Sequence, residues 1–235
     1  MRFRQAVVLA ATALLLTACG GGEKGSDAAA ASSESGSALS RMSAQEVFDA
    51  SFSALEKAGA AHVKGSLTED GQETAMDLHL QDDDAIGSIT IQGATLQFVY
   101  LDGVPYIQGT ADFWTSSGVP ADFAAQLGGA WVLMPKDAAA EFSGLTLSGL
   151  VDALTDTGGS TIAGQVTTDE LDGEPVLVVT QSDGSRLTVA DDDASYPLVA
   201  EDKGDAPGTL TFSRFGERED ITAPADAVDL DDLGA

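Results

Sequence analysis

The chain predicts an α+β fold: a curved, mainly antiparallel sheet of about eleven strands with helices packed on its concave side. Three observations carry this expectation. Apolar residues recur at helical spacing just after residue 43, switch to a period of two after Gly59, and return to helical spacing in two later stretches. Asp-Gly pairs at 70–71, 102–103, 172–173 and 183–184 separate the alternating runs, and both residue types tolerate the positive φ of a tight hairpin. Consecutive hairpins give an antiparallel meander, and each apolar helix stripe then needs a sheet face to cover it.

The first segment reads as an address. Arg2 and Arg4 precede an apolar run from Ala6 to Leu16, which at about a dozen residues falls short of the roughly 20 a spanning helix needs. Leu16-Thr17-Ala18-Cys19 resembles a bacterial lipobox, in which the Cys thiol receives a diacylglyceryl group and becomes the mature N-terminus. An ordinary signal peptide is the other reading, but it must place the only Cys of the chain by chance where the motif needs one. The expected organisation is a lipoprotein signal peptide over 1–18, a lipidated Cys19 with a Gly/Ala/Ser-rich linker over 19–39, and a folded body over 40–235. Two acyl chains anchor stably where one does not, so the body is expected on the extracytoplasmic face of the cell membrane, tethered by lipid. The linker has a root-mean-square reach of about 25 Å as a flexible coil.

In the body, Ser43 and Glu46 fit a capping box, Met42 and Val47 occupy the staple positions, and Val47, Phe48, Ser51, Leu55 and Ala58 form a stripe that Gly59 stops. Strands are expected near 61–68, 73–81, 86–93, 95–102, 104–109, 130–134, 160–168, 175–182, 184–190, 196–201 and 208–215. In the second of these, His79 alternates with Leu78 and Leu80 and is placed on the polar face. Helical stretches are expected near 110–128, broken at Gly118 and Pro120, and near 146–156, where Leu147, Leu150, Val151 and Leu154 share a face.

Charge and composition exclude several functions. With 11 basic and 38 acidic side chains the formal charge is −27, and removing Arg2 and Arg4 gives 9 − 38 = −29; a nucleic-acid partner needs a basic face. One Cys and two His provide neither an internal disulfide nor a zinc pattern, so no metal or other cofactor is expected. Asp82-Asp83-Asp84 and Asp191-Asp192-Asp193 lack the spacing and closing Glu of a calcium loop and read as solvated turns. No Gly-x-Ser-x-Gly elbow, phosphate loop or dinucleotide fingerprint is present. No catalytic residue is assigned, and the chain is not expected to be an enzyme.

Three further stretches point to a family. Gly128-Gly129-Ala130-Trp131-Val132-Leu133-Met134-Pro135, Ser195-Tyr196-Pro197-Leu198-Val199, and Thr209 to Gly216 followed by Ile221-Thr222-Ala223-Pro224 resemble, in this order, strand motifs of the LolA/LppX-type bacterial lipoproteins. The resemblance covers roughly Ser43 to Leu230. It implies an open half-barrel around helices, with an apolar cavity that carries the acyl chains of lipoproteins or acylated glycolipids across the envelope. The resemblance transfers no binding residue by motif; the apolar and aromatic positions are the candidates, with Leu96, Phe98, Tyr100, Trp131 and Leu133 as a cavity wall and Phe113, Trp114, Phe123, Leu150 and Leu154 as its helix side, and ordinary core packing is the other reading of each. Binding an acyl chain needs apolar area more than exact polar geometry. The leading functional expectation is a membrane-anchored binder or carrier of an acylated lipid or glycolipid. The alternative is an envelope sensing lipoprotein that meets a protein partner and whose cavity is filled by side chains.

Overall fold

The computed structural model describes residues 37–230 except Asp70, Lys136, Asp137, Ala163 and Asp205. Cys19, the signal segment, the linker up to residue 36, and Asp70 of the first Asp-Gly pair lie outside the described residues.

Helix α1 (Ala44–Ala58) begins as its sequence dictates. The Ser43 hydroxyl accepts the Glu46 amide, the Glu46 carboxylate accepts the Ser43 amide at 2.8 Å, and Gly59 ends the helix in the left-handed region at φ 66°. Met42 stays 41% exposed, so the expected staple does not bury it; Val47 turns inward alone.

The chain then runs through β1 (Ala60–Glu69), β2 (Gln72–Gln81), β3 (Asp84–Ile91), β4 (Ala94–Leu101) and β5 (Val104–Gln108). Short helices α2 (Ala111–Ser116) and α3 (Ala121–Leu127) lead to β6 (Trp131–Leu133). Then come α4 (Ala139–Phe142), a 3₁₀ turn at Ser143–Leu145 and α5 (Leu147–Thr155). A second meander follows as β7 (Thr167–Leu171), β8 (Glu174–Thr180), β9 (Arg186–Ala190), β10 (Pro197–Asp202) and β11 (Gly208–Ser213), and β12 (Val228–Asp229) comes last. All twelve strands form one unclosed sheet, ordered β12-β6-β5-β4-β3-β2-β1-β11-β10-β9-β8-β7. Every pairing is antiparallel except β12 with β6. The β1–β11 ladder is thus the seam that joins the two meanders. The Asp102-Gly103 and Asp172-Gly173 turns both hold two residues at positive φ (52° and 78°, 54° and 86°), as a two-residue hairpin demands.

Side-chain parity follows from the register. Val132, Ile107, Phe98, Gly87, Leu78, Val63 and Phe212 stand opposite one another across seven neighbouring strands. Apart from the glycine, they belong to the same buried cluster as Val47, Phe48, Phe52 and Leu55 of α1 and Leu147, Leu150 and Val151 of α5. This is the concave, helix-covered face. Neighbouring backbones approach closely at three strand glycines, Gly65, Gly87 and Gly208; a Cβ on the last would lie only 2.1 Å from the Ser66 carbonyl oxygen. A Cβ on Gly65 would lie 1.9 Å from the Thr209 carbonyl oxygen across the seam, and one on Gly87 would lie 2.2 Å from that of Asp77.

Three expectations need correction, and four short elements add to those expected. The strand expected at 160–168 is instead β7, Thr167–Leu171: Gly164 sits at φ 80°, and upstream of it a single bridge pairs Ile162 with Gln181. Trp131 and Leu133 flank Val132 in a three-residue strand, so alternation turns them to the convex face, away from the helices. His79 does stand on the convex face, opposite His62, but it is only 3% exposed. The chain after β11 folds back over it, with the Glu219 carboxylate 3.9 Å from Nδ1, the Glu219 amide donating to Gln81 Oε1 at 3.0 Å, and the Gly216 amide donating to the Ala60 carbonyl. Burial is the main reason its imidazole is held below its ordinary pKa, opposed by the nearby Glu219 charge. Finally, β12, α4 and the 3₁₀ turns at Leu39–Arg41 and Ser143–Leu145 carry no pattern long enough to be read from sequence.

Candidate functional site: an apolar cavity with an acidic mouth

On the concave side, the C-terminal meander and the helices do not close completely on each other. A cavity of about 400 Å³ lies between α1, α5 and strands β9 to β11, with Leu67 of β1 at its side. That size is within the range of ligand pockets, about 300–1,000 Å³. Its inner wall is apolar: Phe48 and Phe52 from α1, Leu150 and Leu154 from α5, Leu187 from β9 and Leu210 from β11. Phe48 and Phe52 are one turn apart, so both rings project from the same helix face and meet edge to face at 4.9 Å. Leu187 and Leu210 are inward members of alternating strands, each opposite Ala200 or Gly65, small residues that leave room above them.

The mouth is polar and lies at one end of the strands, where the loop after α5, the β8–β9 turn and the end of β10 converge. Asp156, Asp183, Arg186, Glu201 and Asp202 line it. Arg186 Nη1 stands 3.8 Å from Glu201 Oε2. Asp183 accepts the Ser185 amide at 2.9 Å, which is the main reason its carboxyl is held below the usual range. Asp156 accepts the Gly158 amide at 3.1 Å. The loop is stitched to the β8–β9 turn by the Thr161 amide on Ser182 Oγ at 3.1 Å and the Ser182 amide on the Thr161 carbonyl at 2.9 Å. Gly158 and Gly159 just before this stitch adopt φ 58° and 90°, conformations that glycine reaches without strain.

Of the residues expected to line a cavity, Leu150 and Leu154 do so. Leu96, Phe98 and Tyr100 face the helices from β4, where Leu96 and Phe98 are packed in and Tyr100 borders only a separate open depression. Phe98 packs on Phe142 with ring centroids 5.6 Å apart, and the Tyr100 hydroxyl donates to the Ala139 carbonyl at 3.5 Å. Trp114 is buried on α2, edge to face with Phe113 at 5.0 Å. Phe123 is 41% exposed, because the inward positions of α3 are Ala124 and Leu127. Trp131 and Leu133 are on the opposite face. Cys19 lies outside the described residues. Phe48, Phe52, Leu187 and Leu210 are the lining residues that sequence did not single out; their signal is ordinary core periodicity, identical to that of residues that meet no void.

A second depression, about 630 Å³, opens to water beside α5 and is lined by Asp82, Asp83, Asp84, Asp102 and Asp152. Its carboxylates serve the local backbone and hydroxyls: Asp84 Oδ1 accepts the Asp102 amide and Asp83 Oδ1 accepts the Ser148 hydroxyl. The other acidic triplet also acts as a turn, with Asp192 Oδ1 accepting the amides of Ala194 and Ser195, both at 2.9 Å. Among the described residues, no group of three or more His, Cys, Asp or Glu is arranged to hold a metal ion.

Neither a protein-family model nor a curated protein sequence matches the chain. Solved structures do. The crystal structure of LprF from Mycobacterium bovis is 18% identical, covering 77% of this chain and 97% of its own, with a TM-score of 0.53. The Mycobacterium tuberculosis lipoprotein LppX is 15% identical, covering 76% of this chain and 98% of its own, with a TM-score of 0.49. At these identities the likeness concerns architecture: an unclosed, mainly antiparallel curved sheet wrapped on helices. The chain has the fold of LprF.

Proposed function

We propose that this protein is an envelope lipoprotein that binds or carries the acyl part of an amphiphilic ligand, without catalysing a reaction. The cavity between α1, α5 and β9–β11 carries this reading: an apolar wall of Phe48, Phe52, Leu150, Leu154, Leu187 and Leu210 under a polar mouth is the arrangement that removes a chain from water while leaving a headgroup wet. Each methylene transferred contributes about 0.8 kcal/mol, so a long chain needs few directional contacts. Acylation of Cys19 would anchor the body, and the linker would hold it off the leaflet. The fold it shares with LprF supports the reading.

Native mass spectrometry of the chain from residue 20, exported from a bacterial host behind a cleavable signal peptide, tests the binding. A mass excess removed by organic extraction is expected. A bare mass that does not change after incubation with acylated lipids would refute it and turn attention to a protein partner, the function that suits the filled half of the sheet around Phe98 and Phe142. Anchoring is tested separately: globomycin, which blocks cleavage before a lipidated Cys, should leave the precursor uncut.

A further inference from the structure

Resting on the reading above, we propose that the cavity takes one acyl chain, not two or three, and that the headgroup it accepts is cationic.

The chain number comes from volume. An apolar protein cavity of about 150 Å³ holds benzene, or about 25 Å³ per carbon. The space between α1, α5 and the sheet, about 400 Å³, then holds a single chain of about 16 carbons. A second chain has no continuation into the other half of the concave face, where Phe98, Phe142, Trp114 and Leu127 are packed.

The headgroup comes from the mouth. Four carboxylates and one guanidinium line it, 1 − 4 = −3 in formal charge: Asp156, Asp183, Glu201 and Asp202 against Arg186. Arg186 is already engaged by Glu201. The other three aspartates are held by backbone amides, of Gly158, Ser185 and Gly204 respectively. These donors fix each carboxylate in place, yet they carry no charge to cancel it. A chain seated against Phe52 and Leu154 leaves its head among these carboxylates. A phosphate, sulfate or carboxylate head meets like charge there, whereas a quaternary or primary ammonium meets fixed acceptors over an apolar floor. Nearby Lys203 is exposed, and its backbone amide donates to Ser185 Oγ.

The test uses three probes with the same dodecyl chain, all below their micellar concentrations: dodecyltrimethylammonium, dodecyl maltoside and dodecanoate. Each is titrated calorimetrically into the non-acylated mature chain at physiological ionic strength. The ammonium probe should bind about tenfold tighter than dodecanoate, a preference that a few partly screened charges supply. The double variant Asp183→Asn/Asp202→Asn should cut that preference to below about threefold. A remote pair, Asp82→Asn/Asp83→Asn, should leave it unchanged. Native mass spectrometry should show one probe per chain.

Equal binding of all three probes, or tighter binding of dodecanoate, overturns the headgroup assignment while leaving acyl binding intact. Equal losses in the rim and remote variants overturn it too, because the cation then adsorbs to the general negative charge. Two or more probes per chain overturn the single-chain assignment. Binding of no probe at all refutes the acyl-binding function itself.

Discussion

Replacing Gly65 with Ala tests whether the seam between the two meanders depends on a missing side chain. The added Cβ would lie 1.9 Å from the Thr209 carbonyl oxygen, 2.9 Å from its carbonyl carbon and 3.0 Å from Leu210 Cα. Ordinary contact begins at 3.4 Å, so β1 and β11 must separate locally by 3.4 − 1.9 = 1.5 Å. All three atoms are backbone and cannot rotate away. A movement of that size takes the adjacent ladder hydrogen bonds out of range. Two such bonds at about 1 kcal/mol each, with an overpacking strain of about 1–3 kcal/mol, less about 0.5 kcal/mol for the reduced freedom of the unfolded chain, give a loss of about 3 kcal/mol. For a body of this size that lowers Tm by about 6–12 °C. Scanning calorimetry of wild type and G65A measures it. Gly144→Ala is the control, because a Cβ there meets nothing within 4 Å; it should stay within about 0.5 kcal/mol of wild type. A G65A protein less than about 1 kcal/mol below wild type would show that the strands tolerate a side chain at the seam and would refute the argument.

Three further outcomes are expected. Ser43→Ala removes the acceptor for the Glu46 amide and should destabilise the body by about 1 kcal/mol in urea titration, with an unchanged m-value. Leu154→Trp adds about six heavy atoms to the cavity wall, roughly 150 Å³ at 25 Å³ each, leaving room for about ten carbons; a dodecyl chain then has about two carbons unhoused, about 1.6 kcal/mol, which should weaken its affinity by about tenfold while far-ultraviolet dichroism is unchanged. His79 has a folded pKa held below its ordinary 6.5, chiefly by burial, so the unfolded chain binds the proton first as pH falls. Its linkage leaves stability intact above about pH 6.5 and removes it progressively below, down to the lowered folded value. Asp77 and Asp183, also lowered, act only below their ordinary 3.8. His79→Gln should therefore flatten the wild-type stability profile between about pH 6.5 and pH 5 in urea titrations; parallel wild-type and variant profiles in that range would contradict the burial argument.

What sequence revealed and what it hid divide along the range of the forces involved. Asp102-Gly103 and Asp172-Gly173 dictate their turns through their own backbone preferences, and Ser43 with Glu46 caps α1 within four residues, so these features were legible. Parity in β6 was not. Trp131-Val132-Leu133 is apolar at all three positions, and only pairing with Tyr106, Ile107 and Gln108 decides which side chain turns inward. His79 alternates correctly but is covered by chain more than a hundred residues downstream, so local polarity misplaced its environment. The cavity is hidden for a related reason. Leu150 and Leu154 were named from their helix face, yet Phe52, Leu187 and Leu210 border the same space with periodicities no different from Leu55 or Leu78, which are fully enclosed. A void records what facing layers fail to fill, and no single element encodes it.

The described chain begins beside the β9–β10 turn, where the Ser37 hydroxyl bonds to the Asp191 carboxylate. The cavity mouth is at the other end of these strands, by the β8–β9 turn and Glu201, Asp202, Gly204 and Ala206. The five residues of β9 alone separate the two ends by about 17 Å. A ligand entering the mouth and the segment that leads into Ser37 therefore meet the body at opposite ends of β9, so neither has to pass the other.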